Sequence, residues 1–251
     1  RGSYSGFRQH QPYRSYVNFN YQIETAGNFL YGISKLANLP QDEGGHHLLF
    51  NIPFAQYAKA DANFTFHHIV KPKHQLVYHA GIGVAVPFLN ASTIPFEKRY
   101  FAGGSNSVRG WQARTLGPGS FRNSAENGLI YDLQAGDIRL DLNVEYRWKV
   151  ISFLELAAFV DAGNIWTIRD YEEQPYGVFR WDEFYKQIAL AYGVGIRFDF
   201  SVLIFRVDFG VKLHDPSRIY GKLAGTEWRT AKNGLCWNDD MTFHFAIGYP
   251  F

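Results

Sequence analysis

The sequence predicts an all-β fold, a transmembrane antiparallel up-and-down β-barrel. Three observations carry that prediction: apolar and polar residues alternate along several segments, connections are short on one side and long on the other, and aromatics gather toward the segment ends. The chain has 251 residues and is 18% aromatic, yet its mean hydropathy is slightly negative at -0.24. Apolar and polar residues are plentiful together, so they must be separated by position. Alternation does this by giving a sheet one greasy and one wet face.

The first alternating segment puts Val17, Phe19, Tyr21 and Ile23 opposite Asn18, Asn20, Gln22 and Glu24. A long connection from Gly27 to Asn51 follows, with a helical turn expected within Phe29 to Leu39. Ala58 to Val70 alternates more weakly around Lys59, Asp61, Asn63, Thr65 and His67, then turns at Lys71-Pro72-Lys73 into Leu76, Tyr78, Ile82, Val84 and Val86. After a long stretch from 89 to 136, Ile138 to Trp148 alternates without exception: Ile138, Leu140, Leu142, Val144, Tyr146 and Trp148 face Arg139, Asp141, Asn143, Glu145 and Arg147. A turn at Lys149-Val150-Ile151 leads to Leu154, Leu156, Ala158 and Val160, opposite Glu155, Ala157, Phe159 and Asp161, which reads as a tight hairpin.

A third long connection spans 163 to 186. Beyond it, Ile188 to Phe198 and Leu203 to Val211 form another hairpin with a short turn near 201, with Arg197, Arg206 and Asp208 on the polar face. The connection 214 to 239 is long, and the last strand runs from Thr242 to Phe251, ending on an aromatic. About eight strands of roughly ten or more residues result, a length that suits a tilted membrane crossing. Short turns on one side and long loops on the other are the layout of an outer-membrane barrel.

A soluble sandwich would also alternate, but its polar face meets bulk water and tends toward Lys, Glu and Thr. Here that face mixes opposite charges with Gly and Ala, as a crowded polar lumen would. Aromatics at Tyr146 and Trp148, Trp166, Phe198 and Phe200, and Tyr249 and Phe251 stand where interfacial girdles are expected. A sheet edge facing lipid would leave backbone groups unsatisfied, so such a sheet must close.

Composition excludes several function classes. Net charge is +2 without a basic cluster, which argues against nucleic acid. A single cysteine, Cys236, permits no internal disulfide and no C-x-x-C chemistry. No run approaches the roughly 18 apolar residues of a membrane-spanning helix, since Ile151 to Ala162 is interrupted by Ser152 and Glu155. The N-terminus, Arg1-Gly2-Ser3-Tyr4, lacks a hydrophobic signal core, as expected of a mature product or a fragment. His46-His47, His67-His68 and Asp239-Asp240 lack zinc-site spacing, and Ser105 and Ser107 lack a nucleophile-elbow context. Neither a metal, a cofactor nor catalysis is expected.

One segment stands apart: Phe101-Ala102-Gly103-Gly104-Ser105-Asn106-Ser107-Val108-Arg109-Gly110-Trp111 places a lone arginine among small, turn-permissive residues. An arginine fork presented this way suits a carboxylate, through two parallel hydrogen bonds. With this segment the chain resembles the Omp85 superfamily, outer-membrane barrels that assemble or translocate other proteins. In that family the sixth extracellular loop carries a Val-Arg-Gly-aromatic tip folded into the lumen, matched by Val108-Arg109-Gly110-Trp111. Two strands later the family has an aromatic-x-Asp-x-Gly motif, matched by Phe159-Val160-Asp161-Ala162-Gly163.

The resemblance implies a contact between Arg109 and Asp161, with Glu145 as a second carboxylate and the 89 to 136 loop inside the lumen. Parity independently puts Asp161 and Glu145 on the polar face. A competing partner for Asp161 is Arg139, which a register drawn from the turn at 150 places opposite it. The C-terminus resembles the family's recognition strand: Tyr249 and Phe251 fit, while Ala246 stands where glycine is usual and His244 holds the polar position. The wording Tyr192 to Phe200, then Phe205-Arg206-Val207-Asp208 and His214-Asp215-Pro216, looks most like the TamA-like branch of Bacteroidota called TamL. Family barrels have sixteen strands behind periplasmic POTRA domains, so the resemblance implies that this chain is about the last eight strands, residues 1 to 251, without a POTRA domain.

The function implied is outer-membrane protein assembly, insertion or translocation through a lateral seam at the last strand, where Gly248 and Pro250 suit a weak edge. Implied partners are outer-membrane lipid, client β-barrel proteins and periplasmic or inner-membrane assembly partners, in the outer membrane of a Gram-negative bacterium. A passive outer-membrane channel or surface receptor barrel is the rival reading, and it would not need Arg109 tied to Asp161.

Overall fold

The computed structural model describes residues 1–7, 14–122, 133–200, 202–219, 222–223 and 240–251. Cys236, Asp239 and most of the 214 to 239 connection lie outside these residues. One antiparallel sheet of nine strands dominates: β1 (Gly2–Ser5), β2 (Tyr16–Ala26), β3 (Tyr57–Lys71), β4 (His74–Pro87), β5 (Ile138–Ile151), β6 (Leu154–Trp166), β7 (Ala189–Asp199), β8 (Ile204–His214) and β9 (Met241–Ile247). Each pairs with its sequence neighbours, the up-and-down order of a barrel wall. The first alternating segment, in β2, is not the edge of the sheet: β1 pairs with it, Gly2 to Tyr21 through Ser5 to Asn18.

Burial along this wall is inverted relative to a water-soluble protein. Leu142, Val144, Tyr146 and Trp148 are about 40% exposed, whereas Asp141, Asn143, Glu145 and Arg147 are buried. The same inversion holds on β6, where Leu156 and Val160 are exposed and Asp161 is buried, and on β8, where Phe205 is exposed and Arg206 and Asp208 are buried. Free energy favours removing apolar area from water, so a wall presenting leucine, valine and phenylalanine outward is built for hydrocarbon. This is a transmembrane β-barrel wall. No helix among the described residues is long and apolar enough to cross a membrane.

What fills the inside is the long connection after β4. Ile94, Tyr100, Ala102, Val108, Trp111 and Leu116 from that loop pack against Tyr57, Ala85, Ile165, Ala189 and Ala191 of the inner wall in one apolar cluster. Small residues line the wall there, which lets a folded loop approach it. The Gly27 to Asn51 connection holds a helix, α1 (Asn28–Leu36), ending three residues earlier than the helical turn expected.

Three expectations need correction. The β5–β6 turn is at Ser152-Phe153, because β5 runs on to Ile151; Asn143 therefore sits opposite Asp161, and Arg139 sits opposite Ile165. Arg139 instead meets Asp141 at 3.3 Å. The last strand ends at Ile247 rather than Phe251, because Gly248 takes a positive φ of 87° that turns the chain out of the ladder. Trp166, expected in the outer girdle, is only 1% exposed: Phe179 and Phe184 of the next loop cover it at centroid distances of 5.6 and 6.5 Å.

Candidate functional site

The tip of the lumenal loop is a pair of tight turns. The Gly104 N–H donates to the Trp111 carbonyl at 2.9 Å and the Trp111 N–H to the Val108 carbonyl at 3.2 Å, which drives the Arg109 side chain into the wall. Nε and Nη2 of Arg109 each donate to Asp161 at 2.8 Å, to Oδ2 and Oδ1 respectively. Nη1 donates to Glu145 Oε2 at 2.5 Å, and the Arg109 backbone N–H adds a bond to Asp161 Oδ2 at 3.0 Å. The guanidinium also lies 3.5 Å above the centroid of Phe159, a cation–π placement. None of Arg109, Asp161 and Glu145 has measurable exposure.

Charge balance explains why such burial is tolerated. Burial alone would lower the Arg109 pKa, but Asp161, Glu145 and Asp208 together push it well above the ordinary guanidinium value. Glu145 also accepts from Arg147 Nε at 2.6 Å and lies 2.8 Å from Arg197 Nη2. Asp208 pairs with Arg206 at 3.1 Å and Glu155 with Arg197 at 3.8 Å. Arginines 109, 147, 197 and 206 thus meet carboxylates 145, 155, 161 and 208 in equal number, as buried ions must be matched to avoid a large desolvation cost.

The tip is held from the other side by the last two strands. Thr242 Oγ1 donates to the Gly110 carbonyl at 2.9 Å, and His244 Nε2 donates to the Arg109 carbonyl at 3.0 Å. Gly210 on β8 leaves room for this approach, since a Cβ there would run into the Arg109 carbonyl. Gly163 does the same on β6: a Cβ would collide with the Leu140 carbonyl and crowd Val108 at 3.2 Å. Trp111 is buried, with Lys212 Nζ 5.1 Å from its ring centroid. The loop tip is therefore a brace: its side chain is bound to β5 and β6, its backbone to β9.

Of the residues singled out from sequence, the structure brings Val108, Arg109, Gly110, Trp111, Glu145, Asp161, Gly163 and His244 together around this tip. Gly248, Tyr249 and Phe251 follow β9 on a short inward-turned tail, which brings the Phe251 ring centroid to 5.9 Å from the Arg109 guanidinium. Tyr249 and Phe251, expected in a girdle, leave the outer face: Arg147 lies 4.4 Å from the Tyr249 ring centroid, and Phe251 stacks on His79 at 4.8 Å. Sequence reading missed the roles of Asn143, Thr242, Gly210 and Ser107. Asn143 Nδ2 bridges Asp161 Oδ1 and the Ser107 carbonyl, both at 2.9 Å, and Ser107 Oγ donates to Asp141 at 2.5 Å. Parity placed Asn143 on the inner face, but only the corrected register puts it beside Asp161. Among the described residues no group of three His, Cys, Asp or Glu side chains could hold a metal ion.

Known proteins resemble this chain in sequence and in fold. The sequence model of the Omp85 superfamily domain matches residues 43–251. The outer membrane protein assembly factor BamA of Neisseria meningitidis serogroup B is 27% identical over 123 residues, which is 47% of this chain and 15% of that protein. The crystal structure of BamA from Haemophilus ducreyi lacking POTRA domains 1-3 superposes with a TM-score of 0.51 at 15% identity, over 93% of this chain and 51% of that one. The chain thus spans about half, or less, of the length of these relatives.

Proposed function

The chain belongs to the Omp85 superfamily, and from that membership we propose that it forms the C-terminal part of an outer-membrane barrel that assembles or inserts other outer-membrane proteins, without covalent catalysis. The observation that carries the proposal is the brace: Arg109 is fully buried against Asp161 and Glu145 while Thr242 and His244 of β9 hold the same tip. A passive channel gains nothing from a plugged lumen. A machine that must keep a weak last strand in register does.

In this reading β9 is the working edge. It pairs with β8 over Phe205 to Val211 and is the terminal strand of the described sheet. Its chain leaves the ladder at Gly248, and Pro250 beyond it has no N–H to offer. A client strand would add to that edge by β-augmentation, with main-chain hydrogen bonds giving affinity. The loop brace would hold β9 in place until the client arrives. We further place the chain in the TamL branch of Bacteroidota, on the wording of β7 and β8, with outer-membrane lipid, client barrels and periplasmic partners around it.

The test uses the full-length protein in cells that depend on it. Arg109→Ala and Asp161→Ala should each reduce the amounts of folded outer-membrane barrels, and a cysteine at Phe245 should crosslink to nascent client strands. Wild-type barrel levels from both variants, together with solute flux and no client crosslink, would establish the channel reading instead.

A further inference from the structure

We propose that the loop segment from Phe179 to Tyr185, between β6 and β7, is an interfacial anchor seated in the headgroup boundary of the outer lipid leaflet. The argument starts from the register. Trp166 pairs with Ile138 at the end of an unbroken ladder that includes Leu142 opposite Ala162 and Val144 opposite Val160. Directly opposed residues point to the same face, and Leu142, Val144 and Val160 are exposed on the outer wall. Trp166 therefore points outward too.

What covers Trp166 must then lie on the lipid side of the wall. Phe179 and Phe184 do so edge-on, and the indole N–H donates to Gln187 Oε1 at 2.8 Å. Next to these rings stand Trp181, 5.0 Å from Phe179, and Tyr185, 6.1 Å from Phe184. Trp181 is 80% and Tyr185 is 58% exposed. The segment that buries the expected girdle residue presents two new aromatics in its place, continuous with the lipid-facing band.

Height on the wall fits. Leu156 lies level with Trp148 in the lower aromatic zone. From there to Trp166 the strand covers about 33 Å at roughly 3.3 Å per residue. A tilt of roughly 45° reduces that to about 23 Å, close to the ~25 Å apolar band of outer-membrane barrels. Trp181 and Tyr185 thus sit at the upper rim, where amphipathic rings favour the headgroup level. Arg180 and Lys186, both exposed, flank the rings, with Asp182 and Glu183 between them, a mixed-charge rim that suits zwitterionic headgroups.

The full-length protein in phosphatidylcholine vesicles tests this. The emission of Trp181 is isolated as the difference between wild type and Trp181→Phe, with lipid brominated either near the headgroup or near the chain end. The expected result is strong quenching by the shallow bromine, weaker quenching by the deep bromine, and little by aqueous iodide. Trp181→Phe combined with Tyr185→Trp moves the reporter one ring along and should behave alike, and heat-modifiable gel mobility checks that each variant is folded. Iodide quenching with no bromine effect would show a loop standing in water. Shielding from every quencher would show a protein partner or another loop on the patch. Either result overturns the proposal.

Discussion

Replacing Arg109 with alanine tests the brace most directly. The substitution removes three charge-assisted bonds, two to Asp161 at 2.8 Å and one to Glu145 at 2.5 Å. The two carboxylates are not equally affected. Glu145 keeps Arg147 at 2.6 Å and Arg197 at 2.8 Å, whereas among the described residues Asp161 keeps neutral donors alone, Asn143 Nδ2 and the backbone N–H at position 109. Breaking a buried pair from one side costs about 3–5 kcal/mol because the other charge is stranded. At ~1.4 kcal/mol per tenfold, that shifts the docked loop toward release by about two to three and a half powers of ten.

Limited trypsin digestion of the folded full-length barrel reads this out, through cleavage after Arg114 in the same loop. Arg109→Ala should make that bond labile. Adding Asp161→Asn should restore part of the protection, because the stranded charge is gone, and the double-mutant cycle should show a coupling of about 1.5 kcal/mol or more. Glu145→Gln is the contrast: it unbalances Arg147 and Arg197 in the wall as well as Arg109 in the loop, and should lower barrel stability as well as loop docking. An Arg109→Ala barrel as protease-resistant as wild type, or strictly additive effects of the 109 and 161 substitutions, would refute the reasoning.

Further outcomes follow from the same geometry. Gly210→Ala places a Cβ against the Arg109 carbonyl and should release the loop in the same digest without changing any charge. Thr242→Val with His244→Ala removes both bonds from β9 to the tip. At about 0.5–1.5 kcal/mol each, it should speed hydrogen exchange of β9 amides while those of β5 and β6 stay protected. Phe159→Leu keeps the ion pairs but removes the ring under the guanidinium. It should cost about 0.5–2 kcal/mol in unfolding titrations of the folded barrel, less than Arg109→Ala.

Much of this molecule could be read from the order of its residues. Alternation along Ile138 to Trp148 determines which side chains share a face, because a strand has a period of two whatever surrounds it. With the loop pattern, that alone led to the barrel and to an inner face bearing Glu145, Asp161, Arg197, Arg206 and Asp208. The Arg109 segment was legible because a single arginine among glycine and serine suits a carboxylate, while its pairing with Asp161 was implied by the resemblance to the Omp85 superfamily and not by the residues alone.

Register and edge behaviour were decided only by the tertiary structure. A shift of the β5–β6 turn to Ser152-Phe153 moved Arg139 away from Asp161 and brought Asn143 to it, and nothing in the alternation distinguishes registers that keep the same faces together. Trp166 and Tyr249 have the pattern of girdle residues, yet one is roofed by the loop that follows its strand and the other is carried inward past Gly248. Periodicity is a local property of the backbone, so the chain alone specifies it. Which loop covers an outward ring, and which strand grips a loop tip, depends on contacts between residues far apart in sequence, such as Thr242 and Gly110, and these exist only once the wall has curved around them.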